Sequence, residues 1–157
     1  MKRKLAGAVI TVAAAVLAAG CGGDGGDTET EATEPLTKAE FITRADQICG
    51  ATQQQIQAAA TRLRNEGSKS GVLAVPVVAQ FLEKTSVPAY EAMLGKLRAL
   101  QPPPADEKAV DGYVAAVAGA IDSVKADPVK YSKNTSPDPF DTANSRAKAY
   151  GMKVCGS

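Results

Sequence analysis

The sequence predicts an all-α domain: an up-and-down four-helix bundle with a Pro-kinked second helix. Three observations carry this. Apolar residues recur in steps of three and four over long stretches. Helix-boundary residues (Thr37, Pro102 to Pro104, Gly151) fall between those stretches. No strand-length run alternates β-branched with polar residues, and no repeat of fixed period is present.

Residues 1–20 precede the domain and read as a leader. Lys2, Arg3 and Lys4 supply a positive start, and Leu5 to Ala19 is an unbroken run of apolar and small residues. This is the layout of a secretory signal peptide. The apolar run is about 15 residues, short of the roughly 20 that a membrane-spanning helix needs. Its end, Leu17-Ala18-Ala19-Gly20-Cys21, resembles the lipobox of bacterial lipoproteins. The resemblance implies cleavage between Gly20 and Cys21 and a thioether-linked diacylglycerol on Cys21. Two or more acyl chains give stable anchoring where one does not, so the expected location is the outer side of the cell membrane, lipid-anchored.

Residues 21–36 hold that cysteine and a tether. Asp24, Asp27, Glu29, Glu31 and Glu34 are interspersed with glycine and threonine, and the first large apolar residue is Leu36. Such a segment buries too little apolar surface to offset its ordering entropy. The expectation is a flexible, solvated spacer.

The domain is expected over 37–157. Thr37-Lys38-Ala39-Glu40 is a capping box for a first helix. Phe41, Ala45, Cys49, Thr52, Ile56, Ala59 and Leu63 make its apolar stripe, Ile42 and Ile48 widen it, and Gly67 ends it. Ser68 to Gly71 is a polar loop. A second helical pattern runs from about Ala74 to Leu100, with Pro76 in its first turn and Pro88 in its middle, where proline kinks or splits a helix. Pro102-Pro103-Pro104 forces an extended stop. Asp106 and Glu107 place negative charge at the third start. Val110, Val114, Val117, Ile121 and Val124 then form the cleanest stripe in the chain, which Asp127-Pro128 ends or interrupts. Tyr131 to Pro137 reads as loop. Asp138 can cap a fourth helix with Pro139 at its first position, Phe140, Ala143, Ala147 and Tyr150 on its apolar face, and Gly151 at its end. Ala45, Ile48, Ile56, Leu63, Leu82, Leu94, Leu97, Val114, Val117, Ile121 and Tyr150 are the expected core.

Cysteine number bears on both anchor and fold. The chain has 3. If Cys21 takes lipid, Cys49 and Cys155 remain, and in an oxidising compartment such a pair forms a disulfide.

The chemistry available is limited. The chain has no histidine, which removes Ser-His-Asp and Cys-His catalysis and histidine metal sites. No metal or cofactor is expected. Charge is balanced, 18 Lys and Arg against 17 Asp and Glu, which with export argues against a nucleic-acid partner. Ser145-Arg146-Ala147-Lys148 fits S-x-x-K but lacks companion motifs. The carboxylate pairs Asp106/Glu107 and Asp138/Asp141 sit where helix caps belong. Tyr113, Tyr131 and Tyr150 could line a binding surface.

Phe41-Ile42-x-x-Ala45-Asp46-x-Ile48-Cys49 and Tyr150-Gly151-x-x-x-Cys155-Gly156 resemble segments of small lipoproteins of actinobacteria. The resemblance implies an exported α-helical domain with one disulfide and brings no catalytic residue. The expectation is therefore a membrane-anchored, non-enzymatic binding or accessory module of the cell envelope, partnered by the membrane through its lipid and by another envelope protein. The alternative is a carrier of a small apolar ligand or lipid, which a pocket of roughly 300 Å³ or more between helices would favour. An enzyme is the third class; carboxylates gathered in a cleft would favour it.

Overall fold

The computed structural model describes residues 34–67, 73–133 and 137–157. The expected signal peptide, Cys21 and nearly all of the tether lie outside the described residues, as do the Ser68–Gly71 loop and residues 134–136.

Among the described residues the fold is entirely helical. The α-helices are α1 (Lys38–Gly67), α2 (Val75–Phe81), α3 (Val87–Arg98), α4 (Glu107–Ala126), α5 (Pro128–Ser132) and α6 (Asp141–Tyr150). A π-turn, Leu82–Ser86, joins α2 to α3, and a 3-10 turn, Pro104–Asp106, leads into α4.

The capping box forms as expected. The Thr37 N–H and hydroxyl donate to Glu40 Oε2 at 2.9 and 2.6 Å, and the Glu40 N–H donates to Thr37 Oγ1 at 3.3 Å. These bonds, the hydroxyl's foremost, hold the Glu40 carboxyl below its usual range. The packed domain includes the residue before the expected boundary: Leu36 is buried, and its N–H donates to the Gln101 carbonyl at 2.9 Å.

Pro88 shapes the second helical stretch. It has no N–H to give the Lys84 carbonyl, and its ring would strike that carbonyl in a regular α-turn. The chain widens instead into the π-turn, where the Val87 N–H reaches the Leu82 carbonyl five residues back. The expected kink is thus a local widening that separates α2 from α3.

Two expectations are corrected at the other end. Tyr131 and Ser132 belong to α5 rather than to a loop, because Asp127 caps that turn by accepting the Lys130 N–H at 2.8 Å. The last helix starts at Asp141, three residues beyond the expected cap. Asp138 accepts the Phe140 N–H at 2.8 Å and makes a side-chain turn that delays the helix. Gly151, at φ 108°, ends α6 in the left-handed conformation that glycine adopts freely.

The core runs between α1 and α3, α3 and α4, and α4 and α6, while α2 packs on α5. Phe41, Ala45 and Cys49 meet Met93, Leu94 and Leu97, the α4 stripe, and Ala143, Ala147 and Tyr150. Burying a side chain such as Phe41 or Leu97 contributes about 1.5–3 kcal/mol. Ala45, Leu94, Leu97, Val117, Ile121 and Tyr150 are buried as expected. Ile48, Ile56, Leu63, Leu82 and Val114 are only half-buried. Helix α1 has 30 residues against 20 in α4, lengths of about 45 and 30 Å. Its fully buried positions all lie before Gln53, so the second half of its stripe has no full partner among the described residues.

Candidate functional site

Among the described residues an apolar cleft encloses about 400 Å³. Each wall has a local cause. The π-turn set up by Pro88 contributes Leu82 and Ser86, and the last residue of α2 adds Phe81. Helix α3 presents Tyr90, and α4 presents Ile121 and Val124 from its stripe. The Asp127 cap orders α5 and so places Tyr131 on the opposite side. The Asp138 turn closes the cleft: it carries Phe140 against Tyr90, ring centroids 4.5 Å apart.

A smaller cavity of about 130 Å³ adjoins the cleft and shares Tyr90, Asp138 and Phe140 with it. It reaches the Cys49–Cys155 disulfide, Tyr113 and Gln53. Among the described residues lining either cavity, Asp138 is the one whose side chain is an acid or a base other than a phenol. Burial pushes the Tyr90 phenol up, and the charge of Asp138 adds to the shift; the carboxylate and the phenol therefore feel each other across the junction of the two cavities.

The disulfide expected between Cys49 and Cys155 is present, with Cα atoms 5.2 Å apart. The tail that carries Cys155 is also held without covalent bonds. Asp46 accepts the N–H groups of Lys153, Val154 and Cys155 at 3.0, 2.9 and 3.0 Å. The Gln53 amide donates to the Val154 carbonyl at 3.0 Å and to Ser157 Oγ at 3.1 Å. Gly156 fits only as glycine, since a Cβ there would lie 2.7 Å from Lys148 Cγ and 3.0 Å from the Met152 carbonyl oxygen.

The candidate acid–base residues are dispersed. Asp106 accepts the Tyr150 hydroxyl at 2.9 Å. Asp138 serves its turn, and Asp141 opens α6. Asp106 is thus engaged by Tyr150 and Asp138 by its own turn, and the two pairs lie on separate elements. Of the S-x-x-K residues, Ser145 and Lys148 are exposed on α6 and Ala147 is fully buried. Tyr113 is buried with its hydroxyl 3.6 Å from the Cys49 sulfur, and its phenol is pushed up to about 12 by burial first and the Asp46 charge second. Tyr150 rises to about 12 through burial and its bond to Asp106. Tyr131 alone of the three tyrosines singled out in the sequence lines the cleft.

Sequence reasoning did not find Tyr90, Asp138 and Phe140 as a group, because 48 residues or more separate Tyr90 from the other two. It did not assign Asp46 a role either. The available signals were Pro88 inside an apolar pattern and an aspartate one turn before Cys49. The chain matches no protein-family model, no curated protein and no solved structure.

Proposed function

We propose that the mature chain is a lipid-anchored, extracytoplasmic binding module that carries a small apolar ligand in its helical domain. In this reading Cys21 holds the lipid, residues 22–36 are the tether, and α1, the α2–α3 pair, α4 and α6 are the four arms of an up-and-down bundle. The observation that favours a ligand over a purely surface-borne role is the cleft: about 400 Å³, within the roughly 300–1,000 Å³ range of small-molecule sites. Its aromatic and aliphatic walls with few polar groups match the usual make-up of such sites. The dispersal of the carboxylate pairs over separate caps and turns supports binding rather than turnover.

Two measurements test this. Intact-mass spectrometry of membrane-extracted protein should show a chain starting at Cys21 with added diacylglycerol, and Cys21→Ala should leave an uncleaved, unlipidated precursor. Extraction of the purified protein with organic solvent should release a stoichiometric apolar compound, or the protein should take up an added apolar probe with one-to-one stoichiometry. A protein that does neither returns the reading to an envelope module acting through its outer surface.

A further inference from the structure

We propose that the cleft selects a lipophilic cation: an aromatic or aliphatic body bearing one protonated amine or quaternary ammonium, its charge set against Asp138. The inference rests on the carrier reading above and adds the charge of the ligand.

Three observations converge. The charged residue described at the cleft is an aspartate, and it sits where the cleft meets the smaller cavity. Its Oδ1 is engaged by the Phe140 N–H, which fixes the carboxylate at the cleft edge without neutralising it. Phe81, Tyr90, Tyr131 and Phe140 are four aromatic residues among its lining, Tyr90 and Phe140 packed ring against ring, and aromatic rings attract ammonium groups. An anionic ligand would meet the like charge of Asp138, whereas a cation gains both the ion pair and the rings.

The fold already makes one such pairing. Lys130 holds its ammonium 5.1 Å from the Tyr131 ring centroid. Its charge opposes a second cation on that ring. The ligand's amine is therefore directed to Asp138, which lines both cavities together with Tyr90 and Phe140. The apolar body then extends towards Leu82, at the π-turn. Widened turns of this kind often mark binding sites inside helices.

The test uses the full chain in nanodiscs of zwitterionic lipid, with empty nanodiscs as the blank. Three probes share one frame: 4-phenylbutylamine, 4-phenylbutanol and 4-phenylbutanoate. Calorimetry should rank the amine tightest, by about fivefold over the alcohol, the size expected of an exposed ion pair aided by nearby aromatic rings. Asp138→Asn keeps an oxygen for the Phe140 N–H and so keeps the turn. It should erase the amine's advantage over the alcohol. Equal binding of amine and alcohol to the unaltered chain, or tightest binding of the carboxylate, would overturn the cation inference and leave the carrier reading standing. Binding of none of the three would overturn both.

Discussion

Asp46 Oδ1 accepts the Cys155 N–H at 3.0 Å, and Cys155 is itself bonded through sulfur to Cys49, one turn further along α1. Residues three apart share a helix face. One face of α1 therefore grips the same tail twice, once by charge-assisted hydrogen bonds and once covalently. The two contacts act on different states. The disulfide restrains the unfolded chain, while the carboxylate satisfies Lys153, Val154 and Cys155 amides in the folded one.

Asp46→Ala should therefore destabilise the domain even with the disulfide intact. It leaves three backbone N–H groups without their acceptor, those of Val154 and Cys155 part-buried and that of Lys153 exposed, and an unsatisfied buried donor costs about 1–3 kcal/mol. Urea unfolding under oxidising conditions measures the loss. Asp46→Asn, which keeps one acceptor oxygen, should fall between the alanine variant and the natural chain.

Reduction should cost more. The bridge spans a sequence separation of 106, and chain entropy for a loop of about 100 residues gives up to about 4.7 kcal/mol. Thermal unfolding with and without dithiothreitol should show this difference, and Cys155→Ser should be insensitive to the reductant. A natural chain whose midpoint does not move on reduction would mean that the Asp46 and Gln53 contacts alone hold the tail.

Gly156→Ala tests how tightly that tail is seated. A Cβ would come within 3.0 Å of the Met152 oxygen and 3.2 Å of the Asn144 oxygen, both backbone atoms that side-chain rotation cannot relieve. The expected loss is about 1–3 kcal/mol. Gly95→Ala is the control, since nothing lies within 4 Å of its Cβ; in mid-helix it should be neutral or slightly stabilising.

The contrast between these positions shows what local sequence encodes. The Thr37–Glu40 capping box, the α4 stripe and the Gly151 stop were legible because each is decided within about one helical turn. The Cys49–Cys155 pairing was legible through cysteine number, a property of the whole chain. The Asp46 contact was not, since its partners are backbone N–H groups 107 to 109 residues away, which no side-chain pattern announces. Pro88 announced a break, and in the fold that break is a π-turn in which the Val87 N–H reaches the Leu82 carbonyl. Periodicity overestimated burial at Ile56 and Leu82 because both line the open cleft. A stripe reports which face turns inward, not whether that face meets another helix or an empty space.

The phenols of Tyr113 and Tyr150 titrate near 12 in the fold, against about 10 for an unfolded tyrosine. Between those values the folded state holds protons that the unfolded state has released. Stability should be fully present below pH 10 and decline as pH rises from about 10 towards 12. Absorbance titration at a tyrosinate wavelength should show late-titrating residues. Tyr150→Phe should remove one of them and abolish the bond to Asp106; an unchanged titration curve would contradict the placement of Tyr150.

Leu82→Trp addresses the cleft directly. Leu82 is half-buried on the π-turn and lines the space, so a larger side chain can enter the cleft rather than force the core apart. The stability cost should stay below the about 1–3 kcal/mol typical of overpacking. The chain has no tryptophan of its own, so the introduced indole is a single reporter. Its emission should be shifted to the blue, as for a ring removed from water. Affinity for 4-phenylbutanol should fall by about tenfold or more, because the indole takes the volume that the probe's body would use. The Asp138 turn is untouched by this change, so loss of the neutral probe isolates the apolar part of the site from its charge. A solvent-like emission together with unaltered probe binding would place the ligand elsewhere on the domain.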